Sequence, residues 1–279
     1  MIFSYETNRS LAVQKKYLAT KVTIAIKDKN MEVLHTFFQN HGMKLAIILV
    51  VLYYIVRAIV RHVRLKREFE HRCNLISSVT PLHRGTASER DLVFRLLNNG
   101  IPATIIFHDL LLEKVNGEFS QVDVVVPTKV GILAFEVKDY SGWIFGNGGH
   151  EQWTQVMAYG REKYHFYNPI RQNASHIRCL RKELNLSNDI PIFSIIVFYG
   201  NCELRELNYI PKQTFVIKPH RLKDVLTDIL DSNPEAPFSD KWEIMRLLRK
   251  AVERGESVCE TKQHISNITE KLGKHRVYN

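Results

Sequence analysis

The stretch from Gln121 to Lys138, QVDVVVPTKVGILAFEVK, constrains the fold more than any other. Two apolar, β-branched runs flank the short turn Pro127-Thr128-Lys129-Val130, the pattern of a β-hairpin. Asp123, Glu136 and Lys138 stand in these runs where neutral residues are expected. Half-burying such groups is costly unless something pairs with them, and a divalent metal would do so. Alternation along a strand puts Ile132, Ala134, Glu136 and Lys138 on one face, and Leu133, Phe135 and Val137 on the other. Pairing Val126 with Gly131 across the turn would set Asp123 opposite Ala134 and diagonal to Glu136, on the same face. Diagonal Cβ atoms lie somewhat under about 7–8 Å apart, near enough for two carboxylates to share a cation with Lys138 beside them.

The 279 residues allow one ordinary domain plus additional segments. A hydrophobic content of 45% marks a globular chain rather than a disordered one. The net charge of +10 favours a polyanionic partner, nucleic acid or an acidic membrane surface, without choosing between them. Cys73, Cys179, Cys202 and Cys259 make no CxxC pair and no Cys/His cluster at zinc spacing. Neither a disulfide framework nor a zinc site is indicated, and a reducing compartment fits best.

Residues 1–42 mix lysines with short apolar pieces and point to no function. From Leu45 to Val60 the chain reads LAIILVVLYYIVRAIV, interrupted only by Arg57. Residues 43–63 approach the roughly 20 apolar residues that a transmembrane helix needs, provided Arg57 and Arg61 snorkel toward headgroups. A buried core helix is the alternative. A cleaved signal peptide fits less well, because no small-residue cleavage site follows. Met43-Lys44, directly ahead of the run, looks like the beginning of a membrane protein and makes Met43 a candidate translation start. Arg57, Arg61, Arg64, Lys66, Arg67 and Arg72 crowd the C-terminal flank, which the positive-inside rule assigns to the cytoplasm. The expectation is a single-pass membrane protein with a cytoplasmic C-terminal domain. Residues 64–81 would be a basic juxtamembrane linker whose charge rests on anionic lipid.

Thr86 to Asn98 reads as a helix ended by Asn99-Gly100. Glu89 heads its apolar face, three, four and seven positions before Leu92, Val93 and Leu96, and so points toward the sheet. Thr86-x-x-Glu89 is equally a capping box, in which Glu89 only ties up a backbone N–H. Ala103 to Leu112 is β-rich, followed by a turn at Asn116-Gly117. Beyond Lys138, Gly142, Gly146, Gly148 and Gly149 alternate with Trp143, Phe145 and Trp153. The aromatics could stack on bases, or the glycines could simply turn the chain between short strands around packed tryptophans. No GxxxxGK[ST] run is present, so a nucleotide P-loop is absent. Asn168-Pro169 opens a helix to about Leu184. Gln172 and His176 lie one turn apart beside its stripe of Ile170, Ala174, Ile177 and Leu184, where they could border a polar cleft. Ile192 to Tyr199 reads as a strand buried on both faces, Thr214 to Ile217 as another strand, and His220 to Leu230 as a helix. After Pro234 and Pro237, Asp240 to Arg254 and Val258 to Leu272 read as an amphipathic helical pair. The Asn267-Ile268-Thr269 sequon is irrelevant in a cytosolic region.

A helix bearing Glu89, a strand bearing Asp123 and a strand bearing Glu136-Val137-Lys138 follow the order helix, strand, hairpin, strand, helix, strand. This series resembles the PD-(D/E)xK nuclease superfamily and, within it, the NERD or nuclease-related domain. The residues that carry the resemblance are Gly85 to Glu89, Gln121-Val122-Asp123, Gly131 leading into Phe135-Glu136-Val137-Lys138, Tyr140-Ser141-Gly142, Trp153, and Asn168-Pro169 with Gln172-Asn173. It covers roughly Leu82 to Leu230. One departure is Val124-Val125-Val126, where family members often carry hydrophilic residues or histidine.

The resemblance implies an α/β fold with a restriction-endonuclease-like mixed central sheet flanked by helices, here preceded by the N-terminal transmembrane helix. The nuclease-like domain would span residues 82–232 and a C-terminal helical segment residues 233–279. The implied chemistry is metal-dependent hydrolysis of phosphodiester bonds in nucleic acid, DNA foremost. Asp123, Glu136 and Glu89 would hold Mg²⁺, or Mn²⁺ in its place, with the Val137 carbonyl adding a ligand. Lys138 would orient the attacking water or neutralise charge on the phosphorane, and Gln172 would border the site on the substrate side. The alternative is a catalytically inactive NERD-like membrane protein that binds nucleic acid or a protein partner.

Overall fold

Two apolar runs joined by a four-residue turn fold back on each other, so that β2 (Phe119–Thr128) pairs antiparallel with β3 (Gly131–Asp139). The computed structural model describes residues 3–114, 117–157 and 160–256. The expected helix Val258 to Leu272, the sequon, Cys259 and Asn116 of the expected turn lie outside the described residues. The hairpin is tighter than expected: Thr128 pairs with Gly131 and Val126 with Leu133, not Val126 with Gly131. A shift of two residues preserves both faces. The alternation breaks at Asp123, however: Val122 and Val125 pack into the same part of the core while Val124 and Val126 face the other side, so Asp123 sits at a kink between the strands rather than squarely on the face of Glu136.

Around the hairpin a five-stranded mixed sheet runs in the order β1-β2-β3-β7-β9, adding β1 (Phe107–Glu113), β7 (Ile192–Tyr199) and β9 (Thr214–Ile217). The run expected over Ala103 to Leu112 divides into a 3-10 turn at Ala103–Ile105 and β1. Strand β7 lies between β3 and β9 and is parallel to both. All eight of its residues are buried, as its continuous apolar sequence requires.

Helices cover both faces. On one side α2 (Ala87–Asn98) and α4 (Leu222–Ser232) pack Leu92, Leu96 and Leu226 against Leu133, Phe135 and Ile195. On the other, α3 (Pro169–Glu183) and α5 (Lys241–Glu256) pack Leu180, Leu184 and Leu248 against Val125, Ile132 and Ala134. The architecture is mixed α/β, as expected.

A second sheet was only faintly signalled by the glycine-rich segment. Its order is β6-β5-β4-β8, from β4 (Gly142–Asn147), β5 (Gln152–Met157), β6 (Glu162–Tyr167) and β8 (Cys202–Asn208). Trp153 is a packing residue, stacked on Phe198 of β7 with ring centroids 6.0 Å apart and planes 4° off parallel. Gly146 makes room for it, since a Cβ there would meet the indole at 2.5 Å.

The chain divides between Phe69 and Glu70 into two units. The first belongs to α1 (Phe3–Ser77), one helix of 75 residues, so the helix begins well before residue 43. Residues 64–77 of the expected linker are also helical, consistent with their Arg, Lys, Glu and Leu content. The portion His41–Ser77 is long and apolar enough to cross a membrane. Its large apolar side chains from Leu45 to Val63 are exposed on every side, an arrangement that suits lipid and not water.

Candidate active site

The strand ladder opens where the acids lie. On β1, His108 pairs with Val124 and Leu110 with Val122, leaving Asp109 between them at φ +58°. On the β3 side the register ends at Val124 with Phe135, and the Val137 N–H donates to Asp123 Oδ2 at 2.6 Å. The Asp123 carboxylate thus takes the place of a backbone acceptor, which fixes it between the two strands. Asp109 is held in its left-handed conformation by Arg84 and Gln121, whose side chains donate to its carboxylate at 2.8 and 2.7 Å. Arg84 also donates to the Val252 carbonyl and to Glu256, tying the start of α2 to the end of α5.

Glu136 and Lys138 project from the same face of β3. Lys138 Nζ lies 2.6 Å from Glu136 Oε1 and donates to Gln172 Oε1 of α3 at 3.0 Å. His176, one turn beyond Gln172, sets Nε2 3.2 Å from Glu136 Oε2, while its Nδ1 is 2.7 Å from Ser120 Oγ. A proton on Nε2 faces Glu136 and lets Nδ1 accept from Ser120, whereas the other tautomer would leave two buried acceptors facing each other.

Glu89 arrives from the opposite side of the sheet on α2. Both sequence readings of it are realised together. Thr86 caps the helix, accepting from the Glu89 N–H at 3.2 Å and donating to Glu89 Oε1 at 2.8 Å. Oε2 meanwhile faces His108 Nε2 at 3.3 Å, and His108 Nδ1 contacts Thr80 Oγ1 at 3.0 Å. Gly85 permits this approach: it adopts φ +66°, and a Cβ there would lie 2.5 Å from Glu89 Oε2 and 2.6 Å from the His108 ring.

The electrostatics follow from this crowding. Burial, then the carboxylates of Glu136 and Glu89, push Asp123 well above the usual aspartate range. Burial would raise Glu136 too, but Lys138 and His176 outweigh it and hold Glu136 low. For Lys138 burial pulls downward, and Glu136 and Asp123 more than offset it. Burial likewise opposes ionisation of Glu89, and its bonds to His108 and Thr86 prevail. The pocket therefore holds more negative charge than Lys138 alone answers.

That excess matches a hard divalent cation, since every donor offered is oxygen. The ligands are not pre-gathered, however: among the described residues no three His, Cys, Asp or Glu side chains are grouped as a metal centre. Of the five expected residues, Glu136, Lys138 and Gln172 are in direct contact, Asp123 lies in the field of Glu136 and Glu89, and Glu89 itself contacts His108 and Thr86. The sequence reading missed His108, Thr80 and Ser120. His108, followed by Asp109, interrupts the apolar run into β1, a signal that could have drawn notice.

Comparison with known proteins bears on the same region. The nuclease-related domain, NERD, matches residues 84–199, which contain Glu89, His108, Asp123, Glu136, Lys138, Gln172 and His176. An uncharacterized protein of Bacillus anthracis is 29% identical over 166 residues, covering 58% of this chain and 76% of the relative. No solved structure matches.

Proposed function

We propose, from the match of residues 84–199 to the nuclease-related domain, that this chain is a membrane-anchored, Mg²⁺-dependent nuclease that hydrolyses phosphodiester bonds in DNA. The observation that carries this reading is the contact of Lys138 with Glu136 and Gln172, beside an Asp123 whose ionisation its neighbours oppose. A purely structural lysine and glutamate would not need a second carboxylate against them.

Asp123, Glu136 and Glu89, with the Val137 carbonyl, would hold Mg²⁺ or Mn²⁺; when bound, the ion supplies Lewis-acid polarisation of the phosphate and a bound water of lowered pKa. The ammonium of Lys138, fixed on two oxygens, stabilises the extra negative charge as water adds across the P–O bond. Gln172 orients that ammonium from the helix side and borders the substrate. The proton of Lys138 stays in place, since its neighbours hold its pKa high. Residues 43–63 would anchor the protein in a single pass, with the basic flank and the nuclease-like domain in the cytoplasm.

The test is DNA cleavage by the purified full chain in detergent or nanodiscs. Activity with Mg²⁺, its loss in EDTA, and a loss of about 10²–10³-fold or more in Glu136→Ala and Lys138→Ala are expected. Full activity in both variants would overturn the mechanism. The second reading, a catalytically inactive membrane protein that binds nucleic acid or a protein partner, is favoured by the absence of a gathered ligand group among the described residues. DNA binding with a steep salt dependence and no cleavage would select it.

A further inference from the structure

We infer that the groove at the turn end of the β2–β3 hairpin is a docking site for an anionic phospholipid surface. It measures about 950 Å³ and is floored by Ile105, Pro127, Phe238 and Met245. Lys129, Lys241 and Arg249 stand at its rim, all exposed.

Half of the groove's lining comes from α5. Ile244, Leu248 and Ala251 are buried against the sheet, with Met245 packed beside them. Trp242, on the groove side of the same helix, is 87% exposed. An indole held out in water at that level has no structural role in this domain. At a bilayer interface it does, because its ring is apolar and its N–H can stay wet.

Charge selects among the apolar occupants. Arg246 is neutralised by Glu243 at 2.6 Å, leaving Lys129, Lys241 and Arg249 as the net charge of the rim. An apolar floor with a cationic rim is complementary to acyl chains below anionic headgroups. A nucleic acid would meet the cations but leave the aliphatic floor uncovered.

The proposal rests on the anchoring part of the functional reading and not on its chemistry. The same chain carries His41–Ser77, so a bilayer would be present at high effective concentration. The groove also lies at the far end of β3 from Lys138. With Gly131 and Lys138 seven residues apart, the separation is about 23 Å at a strand rise near 3.3 Å. Lipid in the groove and substrate at the acids do not compete.

The full chain is reconstituted in vesicles of phosphatidylcholine alone or with phosphatidylglycerol, each with brominated acyl chains, and tryptophan emission is compared with that of Trp242→Phe. Flotation first establishes incorporation; a chain that does not float refutes the anchor, and the groove proposal with it. In vesicles that do incorporate it, bromolipid is expected to quench the Trp242 component in phosphatidylglycerol and far less in phosphatidylcholine alone. Lys129→Gln with Lys241→Gln should raise the phosphatidylglycerol needed for half-maximal quenching by about 10–30-fold, the worth of two juxtamembrane cations. DNA cleavage should be unchanged by these exposed substitutions. Equal quenching in both lipids, or no quenching in incorporated protein, overturns the proposal. So does a Trp242 shielded in every lipid and released by truncation after Glu256, which would make residues 257–279 the occupant, or shielding that depends on protein concentration, which would make it a second copy.

Discussion

Replacing Asp123 by Asn should make the metal-free protein more stable while abolishing cleavage. The carboxylates of Glu136 and Glu89 both oppose the ionisation of Asp123. Two carboxylates about 6 Å apart at an effective dielectric near 20 repel by about 3 kcal/mol. Lys138 and the Val137 N–H offset part of this, leaving a net relief of about 1–2 kcal/mol, or about 3–6 °C in Tm for a domain of this size. Asparagine keeps an acceptor for Val137, so the strand contact survives. The pH dependence has a definite sign. With its folded pKa raised, Asp123 binds protons more tightly in the native state than in the unfolded one, so its burden grows as pH rises from about 3.9 through the folded value. Below about pH 3.9 the acid is protonated in both states and the advantage of Asn should vanish. Saturating Mg²⁺ should narrow or reverse the difference at pH 7, because only the wild type gains the full binding energy; a hundredfold excess over Kd adds about 2.7 kcal/mol. Calorimetry or thermal melts in EDTA and in Mg²⁺ decide the matter. A lower Tm for Asp123→Asn in EDTA at neutral pH would show that Asp123 is an ordinary structural acceptor and would refute the reasoning.

Gly85→Ala should cost about 1–3 kcal/mol, since its Cβ meets Glu89 and His108 in a left-handed backbone, and should reduce Mg²⁺ affinity by more than it reduces stability at higher Mg²⁺; urea melts with a Mg²⁺ titration check this. Asn173→Ala should destabilise by about 2–3 kcal/mol, because it removes donors to the Ala134 carbonyl and to Ser194 in the buried core, and a denaturant midpoint measures it. Asp91→Asn should cost about 1 kcal/mol at pH 7 by loosening Arg72 and Arg95. Burial opposes the ionisation of Asp91, yet these arginines hold its folded pKa low, so the cost should be present above about pH 3.9 and disappear as pH falls below it.

What could be read from the chain followed the strength of each local pattern. Strand β7 was legible to the residue because IFSIIVFY is apolar throughout and too short for a helix. The faces of the central hairpin were legible because apolar alternation fixes parity, but the register was not, since a shift of two residues leaves every face unchanged. The second sheet escaped because β8, CELRELN, alternates charge with leucine and β6, EKYHFY, is almost wholly exposed. Residues 3–42 of α1 gave no signal because their lysines and apolar residues mark out no face. At the candidate site, the shared face of Glu136 and Lys138 could be read from spacing, whereas the kink at Asp123 could not. The histidines behind Glu136 and Glu89 could not, as Ser120 and His176 are 56 residues apart and Thr80 and His108 are 28 apart.

The two glutamates also show why the acids tolerate their surroundings. Each is backed by a buried histidine that is in turn met by a hydroxyl, Ser120 behind His176 and Thr80 behind His108. Such a histidine can neutralise or orient a carboxylate from behind while leaving the other oxygen directed elsewhere: Glu136 toward Lys138, Glu89 toward Thr86. Asp123 has no such partner. Its one resolved bond is to a backbone N–H, and it lies in the field of both glutamates. A sheet needing only stability would place a valine there, as it does at the next three positions. Asp123 is therefore the residue whose charge burial and its neighbours most oppose, and a cation is the simplest partner that would relieve it.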